Sequence, residues 1–415
     1  EIRFCDWSSD VCSSDLRNFA VRGMQRPLLA NTARRSPVSM ASGASPRPLR
    51  ILMLVSDAHG GFGGIARHNC DVIEVLSQSD RIAEVLVLPR VVTGSTGALP
   101  AKVSYDIRSA SGIWPFLMCC AAYGLLVRRF DVIHCGHINL MPIAALLGWL
   151  RRVPVSLVIH GIDAWRPTGN VSARWTANRA SLIISVSALT LGRFAKWTGY
   201  PADRSLVIPN TVQSDIFLPG EKDATLVKSL DLENRKVIMS LGRMSAMERQ
   251  KGFDEVLSVM PNLVASQPNL VFLACGDGED RPRLEAKARA LGIAHAVRFP
   301  GKIPEEQKAA FFRLADAFVM PSSGEGFGIV LLEALSCGIP IVASSLDGTR
   351  EAARDGELGI VADPRDNAAL AAAITAAISQ PKGVLAGLDY FSRPQFAARW
   401  VAAMTRAATS GSRAS

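Results

Sequence analysis

Long apolar runs are missing from this chain. None reaches the roughly 18–20 residues that a membrane-spanning helix needs. The longest, IWPFLMCCAAYGLLV at Ile113–Val127, is followed at once by Arg128-Arg129. A buried core helix is the first expectation for it and a membrane-surface helix the second. The eight cysteines include no C-x-x-C pair and no paired framework, and several sit inside apolar runs, as reduced core thiols do. A disulfide-stapled secreted scaffold is thereby excluded. The six histidines form no metal-ligand pattern. His134-Cys135-Gly136-His137 comes nearest, but it lacks a third and fourth ligand at usual spacing. No basic run is interleaved with aromatics, which argues against a nucleic-acid face. No G-x-G-x-x-G follows the first strand-like run, which disfavours a dehydrogenase. No D-x-D-type metal loop stands out.

What is present points to a soluble α/β protein. At 415 residues two domains are the default, and 48% hydrophobic with 20% charged residues is ordinary globular composition. The net charge of +9 is unevenly placed. Residues 1–210 hold 23 Lys+Arg against 13 Asp+Glu, or +10, and the remainder holds 23 against 24, or −1. The basic half is read as an Arg-rich solvated surface first and as a contact for an anionic partner or membrane surface second. Residues 1–16, EIRFCDWSSDVCSSDL, resemble the translated read-through of a sequencing adapter. Residues 17–48, rich in Arg, Ser, Pro and Ala without periodicity, read as a disordered leader, with Met24 or Met40 as the expected start.

Ordered structure is expected from Leu49. Apolar runs at 49–55, 85–88, 132–134, 155–159, 182–186 and 206–208 alternate with helix-like segments. A second alternating block opens at Lys236 with strands expected at 236–241, 270–274, 297–299, 317–320, 341–343 and 359–363. Such alternation implies doubly wound parallel sheets, with ligands at the carboxyl ends of the strands. Three strand ends stand out. The first run ends in His59-Gly60-Gly61-Phe62-Gly63-Gly64. The strand at 155–159 ends in His160-Gly161, where His160 is either a site residue or a half-buried imidazole satisfied by a backbone carbonyl. The stretch that organises the second half is MPSSGEGFGIVLLEALSCGIPIV, Met320–Val342. It reads as strand, glycine loop and helix N-terminus, a turn that offers free amides and the positive end of a helix dipole to an anion. Glycines at 324, 326 and 328 permit close backbone approach. Glu325 lies in the loop and Glu333 about two turns into a helix flanked by Leu331, Leu332, Ala334 and Leu335. That helix should be buried, so something polar should face Glu333. Arg243 and Lys251 bracket a further strand-end loop, well placed for phosphate oxygens.

Taken together, Gly242-Arg243 with Lys251-Gly252, Gly276-Asp277-Gly278, Gly324-Glu325-Gly326-Phe327-Gly328, and Glu325 with Glu333 as E-x7-E resemble the retaining glycosyltransferase family 4. The N-terminal Gly-Gly loop, His160-Gly161 and Ile208-Pro209-Asn210 also fit. The resemblance spans roughly 49–408. It implies the GT-B fold, in which two Rossmann-like doubly wound parallel-sheet domains face a cleft. The domains would be 49–212 for the acceptor and 213–385 for the nucleotide sugar, with 386–415 crossing back to the first. It further implies that Arg243 and Lys251 neutralise the donor diphosphate and that Glu333 accepts hydrogen bonds from ribose hydroxyls. Glu325, with Gly326 and the amides of Phe327, Gly328 and Ile329, would hold sugar hydroxyls. Lys302 and Ile303 would lie near the base. Gly63 and Gly64 would close on the diphosphate, with Gly242, Gly276 and Asp277 completing the donor side, and His160 would sit beside the sugar. The interval from Arg243 to Lys251 is longer than the family's usual one, with Arg249 as an extra basic residue between them.

The activity so implied is metal-independent transfer of a hexose-type sugar from a nucleoside-diphosphate sugar to a glycan or lipid-linked acceptor, with no cofactor. Arg243, Lys251 and the helix amides would stabilise the departing diphosphate. The expected location is cytoplasmic, with peripheral contact at the inner membrane face through the basic half, and no nucleic-acid partner. A sugar-nucleotide epimerase or hydrolase on the same fold, and a non-catalytic sugar-nucleotide-binding protein, are the alternatives. Retention of all four charged residues argues against the latter. Lys251 is expected to be an exposed cation whose loss spares folding.

Overall fold

The computed structural model describes residues 47–127 and 129–410. The adapter-like stretch and most of the leader, including Met24 and Met40, lie outside the described residues. Among the described residues two all-parallel sheets form. The first holds β1 (Leu49–Val55), β2 (Ile82–Pro89), β3 (Val103–Tyr105), β4 (Val132–Cys135), β5 (Val155–Ile159), β6 (Leu182–Ser185) and β7 (Ser205–Val207), in the order β3-β2-β1-β4-β5-β6-β7. The second holds β8 (Lys236–Leu241), β9 (Leu270–Cys275), β10 (Val297–Gly301), β11 (Ala317–Met320), β12 (Ile341–Ser344) and β13 (Ile360–Ala362), in the order β10-β9-β8-β11-β12-β13.

Central strands of parallel sheets are covered on both faces and so read as unbroken apolar runs. In β1 the residues Ile51–Val55 are all fully buried. Each sheet reverses its strand order once, between β1 and β4 and between β8 and β11. Ligand crevices form outside the strand carboxyl ends at such switch points. The loops that follow β1 and β11 are glycine-rich loops singled out in the sequence, and the loop that follows β8 is the one bracketed by Arg243 and Lys251. Apolar clusters cover both faces of each sheet. One cover of the first sheet comes from the far end of the chain. Phe396, Trp400, Ala403, Met404 and Ala407 of the helix Arg393–Ser410 pack with Ile51, Met53 and Val72.

Two short elements carry little sequence signal, and one local expectation changes. The edge strand β3 is short and only half-buried, so its alternation carries little signal. The polar segment 214–230 contains a helix, Ala224–Ser229, capped by Asp223 accepting from the amides of Thr225 and Leu226. The apolar run Ile113–Val127 is not a buried core helix. It is α-helical over Ile113–Ala121 and π-helical over Ala122–Val127. Within Ile113–Ala121 it buries Phe116 and Cys120, while Trp114, Met118 and Leu126 are 73%, 70% and 82% exposed. The helix layer has only one face on the sheet, so a run apolar all round leaves its other side in water.

Candidate active site

The loop after β11 is held from below by a residue the sequence reading missed. Asp347, buried in the loop after β12, accepts from Ser322 Oγ (2.7 Å), the Glu325 amide (2.8 Å), Thr349 Oγ1 (2.6 Å) and the Thr349 amide (3.1 Å). Burial pushes its carboxyl upward against the pull of those donors. The Gly348 amide donates to the Glu325 carbonyl at 2.8 Å, so Glu325 is fixed at both ends of its peptide. The Asp-Gly-Thr turn after a buried strand was the available signal.

Above this base the Lys251 ammonium and the Glu325 carboxylate form an ion pair. Burial raises the Glu325 carboxyl, and Lys251 draws it back down. Lys251 is not the exposed cation expected, since its side chain is 22% exposed and committed to a carboxylate. The cause is the loop geometry. The Ser323 amide donates to the Gln250 carbonyl at 2.9 Å, which brings the loop after β8 against the loop after β11. Arg243 stands further out, 77% exposed, and pairs with Glu248 at 2.8 Å. Glu248 lies close enough to act on Glu325 electrostatically. Arg249 faces Asp280 at 3.2 Å.

The helix Ile329–Ser336 starts at Gly328, whose φ of 87° is cheap for glycine alone. In its first turn the Leu331 amide donates to the Gly328 carbonyl at 3.0 Å, and the amides ahead of it have no intrahelical acceptor. Glu333 is the fifth residue of this helix, little more than one turn in, and is 4% exposed. The polar partner demanded by its burial is Lys308, with Nζ 3.5 Å from Oε1. Glu333 Oε2 is buried and has no hydrogen-bond partner. Burial raises the Glu333 carboxyl, while Lys308 and then Arg67 pull it down. Arg67 belongs to the first domain, on the helix Gly64–Gln78, where it donates to Asp71 at 2.9 and 3.2 Å. Neither Lys308 nor Arg67 was anticipated.

The two domains meet at this loop. A Cβ on Gly326 would lie 1.8 Å from the His160 carbonyl oxygen, so the close approach at this glycine is to the other domain's backbone. His160 is half-buried. Its Nε2 lies 3.0 Å from the Gly136 carbonyl, and its ring stands edge-on to His68 at 4.9 Å. Gly63 and Gly64 border open space, with nothing within 4 Å of where a side chain would begin. Lys302 is exposed, with Nζ 5.0 Å from the Phe62 ring across the divide. Ile303 and Phe327 are buried in the core of the second domain, leaving only their backbone to a ligand. Gly276 presses on Gly242, where a Cβ would meet the Gly242 carbonyl oxygen at 1.8 Å, and Asp277 is exposed beside it. Glu351 closes the rim by accepting from the Ala188 and Leu189 amides (2.7 and 2.8 Å), the N-terminus of a first-domain helix. Among the described residues no three His, Cys, Asp or Glu side chains are grouped as a metal site. Likewise no described helix is long and apolar enough to cross a membrane.

Residues 222–386 match the profile described as Glycosyl transferases group 1, and residues 62–215 match that of Glycosyltransferase Family 4. The D-inositol 3-phosphate glycosyltransferase of Geodermatophilus obscurus is 36% identical over 396 residues, covering 86% of each chain. This chain belongs to glycosyltransferase family 4. It is a glycosyltransferase. The phosphatidyl-myo-inositol mannosyltransferase of Mycobacterium leprae is 34% identical over 343 residues, covering 79% of this chain and 87% of its own. Among solved structures, Anabaena HepE in complex with UDP-glucose superposes with a TM-score of 0.66 at 20% identity, over 86% of this chain and 99% of that one. This likeness is one of fold, and the GT-B architecture of family 4 is the fold observed.

Proposed function

We propose that this glycosyltransferase moves a hexose-type sugar from a nucleoside-diphosphate sugar to a glycan or lipid-linked acceptor, with retention and without a metal. The domain limits 49–212, 213–385 and 386–415 and the division of labour between them belong to this proposal. The observation that carries it is Glu333 Oε2, a carboxylate oxygen buried without a partner beside a helix N-terminus. A buried charged acceptor left open is costly unless a ligand's hydroxyls complete it. Ribose hydroxyls on Glu333, and sugar hydroxyls on Glu325 with the amides of Phe327, Gly328 and Ile329, would do so. The diphosphate then lies over those amides, and Lys251 and Arg243 neutralise it. Gly63 and Gly64 leave it room from the first domain. Gly242, Gly276 and Asp277 shape the floor, and Lys302 and Ile303 border the base.

Named relatives support the donor class. One, from Mycolicibacterium smegmatis, is a GDP-mannose-dependent phosphatidylinositol monomannoside mannosyltransferase, and the HepE complex holds UDP-glucose. As the anomeric C–O bond breaks, its electron pair passes to the diphosphate, where Lys251, Arg243 and the helix amides stabilise it. The acceptor hydroxyl attacks the same face and gives its proton to a departing phosphate oxygen. His160 backs the sugar through the carbonyl that touches Gly326 and through its ring. A thermal-shift panel of nucleoside diphosphates and nucleotide sugars tests the reading. One base and one sugar should raise the melting temperature of the wild type, and the rise should vanish in Glu333→Gln. A flat panel, or a response indifferent to Glu333→Gln, would overturn it.

A further inference from the structure

Three neighbouring helices on the outside of the first domain carry apolar side chains that nothing in the described chain covers. Trp114 and Met118 project from the helix Ile113–Ala121, and Leu126 from the π-helical turn after it. Trp149 (74% exposed) and Leu150 project from the helix Met141–Arg151, and Trp175 (67% exposed) from the helix Val171–Ala177. The helices touch in this order. Gly124 lies against Leu147, the Arg151 guanidinium donates to the Leu125 carbonyl at 2.6 Å, and a groove of about 540 Å³ runs between Trp149 and Trp175. An apolar surface of this breadth on a soluble chain marks an interaction site.

Charge selects the occupant. From Asp106 to Asp203 the chain carries ten Lys+Arg and four Asp+Glu, and no acidic residue lies on any of the three helices. Arg129, Arg152, Arg174 and Arg179 are exposed around the apolar residues, and the Arg179 guanidinium sits 4.5 Å over the Trp175 ring. Exposed indoles among arginines suit the boundary between water and acyl chains. There the rings sit at headgroup depth and the guanidinium groups meet lipid phosphates. A protein partner with an ordinary mixed surface would leave most of these cations unanswered.

We propose that this three-helix face docks the enzyme on an anionic lipid bilayer, without insertion across it. The face is separate from the cleft and the proposal stands apart from the sugar-transfer reading. The test is co-sedimentation of the full chain with vesicles of phosphatidylcholine alone or mixed with phosphatidylglycerol, at low and high salt. Wild type should bind the anionic vesicles at low salt and be released at high salt. The double variant Trp149→Ala/Trp175→Ala should bind about a hundredfold less, roughly tenfold per ring, with an unchanged melting temperature. Arg152→Ala and Arg179→Ala should each lower binding about fivefold. Failure of wild type to bind, or undiminished binding by the tryptophan variant, would overturn the proposal. A wild-type dimer in light scattering that the tryptophan variant makes monomeric would instead assign the face to a second copy of the chain.

Discussion

The second sheet's domain and the first sheet's domain share one architecture and spend their polar residues differently. The second gathers charge at its strand ends. Lys251 faces Glu325, Lys308 faces Glu333, and Asp347 collects four donors beneath them. The first buries one carboxylate, Asp71, between Arg67 (2.9 Å) and Arg393 (3.8 Å), and otherwise keeps its interior titratable groups neutral. His68 and His134 are buried as uncharged imidazoles, the Nδ1 of each facing a side-chain oxygen of Asn210 (2.6 Å) or Ser156 (3.0 Å). It wears its surplus charge on the outside. The lesson concerns cost. Buried charge is tolerated where a counter-ion or a ligand can complete it, and elsewhere the buried titratable side chain stays neutral.

Four substitutions break or sharpen this comparison. The largest effect is expected from Trp400→Ala. It should cost about 3–5 kcal/mol of stability by emptying the place where the last helix enters the first sheet's core, read from denaturant melts. A small loss would mean that the first domain is complete without that helix. Next comes Glu333→Gln. It should cut kcat/KM about 100-fold, equivalent to ~2.7 kcal/mol of lost binding to a charged acceptor, while leaving the melting temperature equal or higher. A variant less stable and fully active would reverse the account of the second domain.

His134 tests the first domain. Burial holds its pKa down at about 3, so the folded imidazole stays neutral while the unfolded one protonates near 6.5. That contribution to stability is full above about pH 6.5 and is lost as pH falls toward the folded value, at up to ~1.4 kcal/mol per unit. Replacing it in His134→Gln should flatten the loss of stability between pH 6.5 and 5 by about 2 kcal/mol in parallel melts. An unchanged slope would show that the histidine is not held neutral. The smallest effect is expected at the joint. Glu351→Ala removes the acceptor from two helix-start amides and should cost about 1–2 kcal/mol, with faster hydrogen exchange at Ala188 and Leu189. Unaltered exchange there would mean that the contact does not hold the domains.

Most strands were legible because parallel strands buried on both faces leave apolar runs that end in glycine. The glycine loops were legible for a related reason, since only glycine tolerates the turns and backbone contacts at the switch points. What escaped was relational. Asp347 acts on Glu325, and Lys308 and Arg67 on Glu333, from distant parts of the chain. Asp347 carries only the signal of its Asp-Gly-Thr turn, and the two cations carry none beyond an ordinary charged residue. Lys251 lies in the loop after β8 but is not the exposed cation expected, because its exposure depends on the loop after β11 folding against it. The run Ile113–Val127 failed as a core helix for the same reason, since an all-apolar helix does not declare which of its sides the sheet will cover.

The chain's own sequence determined the two doubly wound sheets, the family, and which loops stand at the strand carboxyl ends. The sheets and loops follow from periodicity and backbone sterics, which act over a few residues at a time, and the family follows from the resemblance of the motifs those loops carry. Only the tertiary structure decided which carboxylate received which cation, which oxygen stayed open, and which tryptophans faced water. Burial and electrostatic pairing depend on distances between groups far apart in the chain, and folding alone sets those distances.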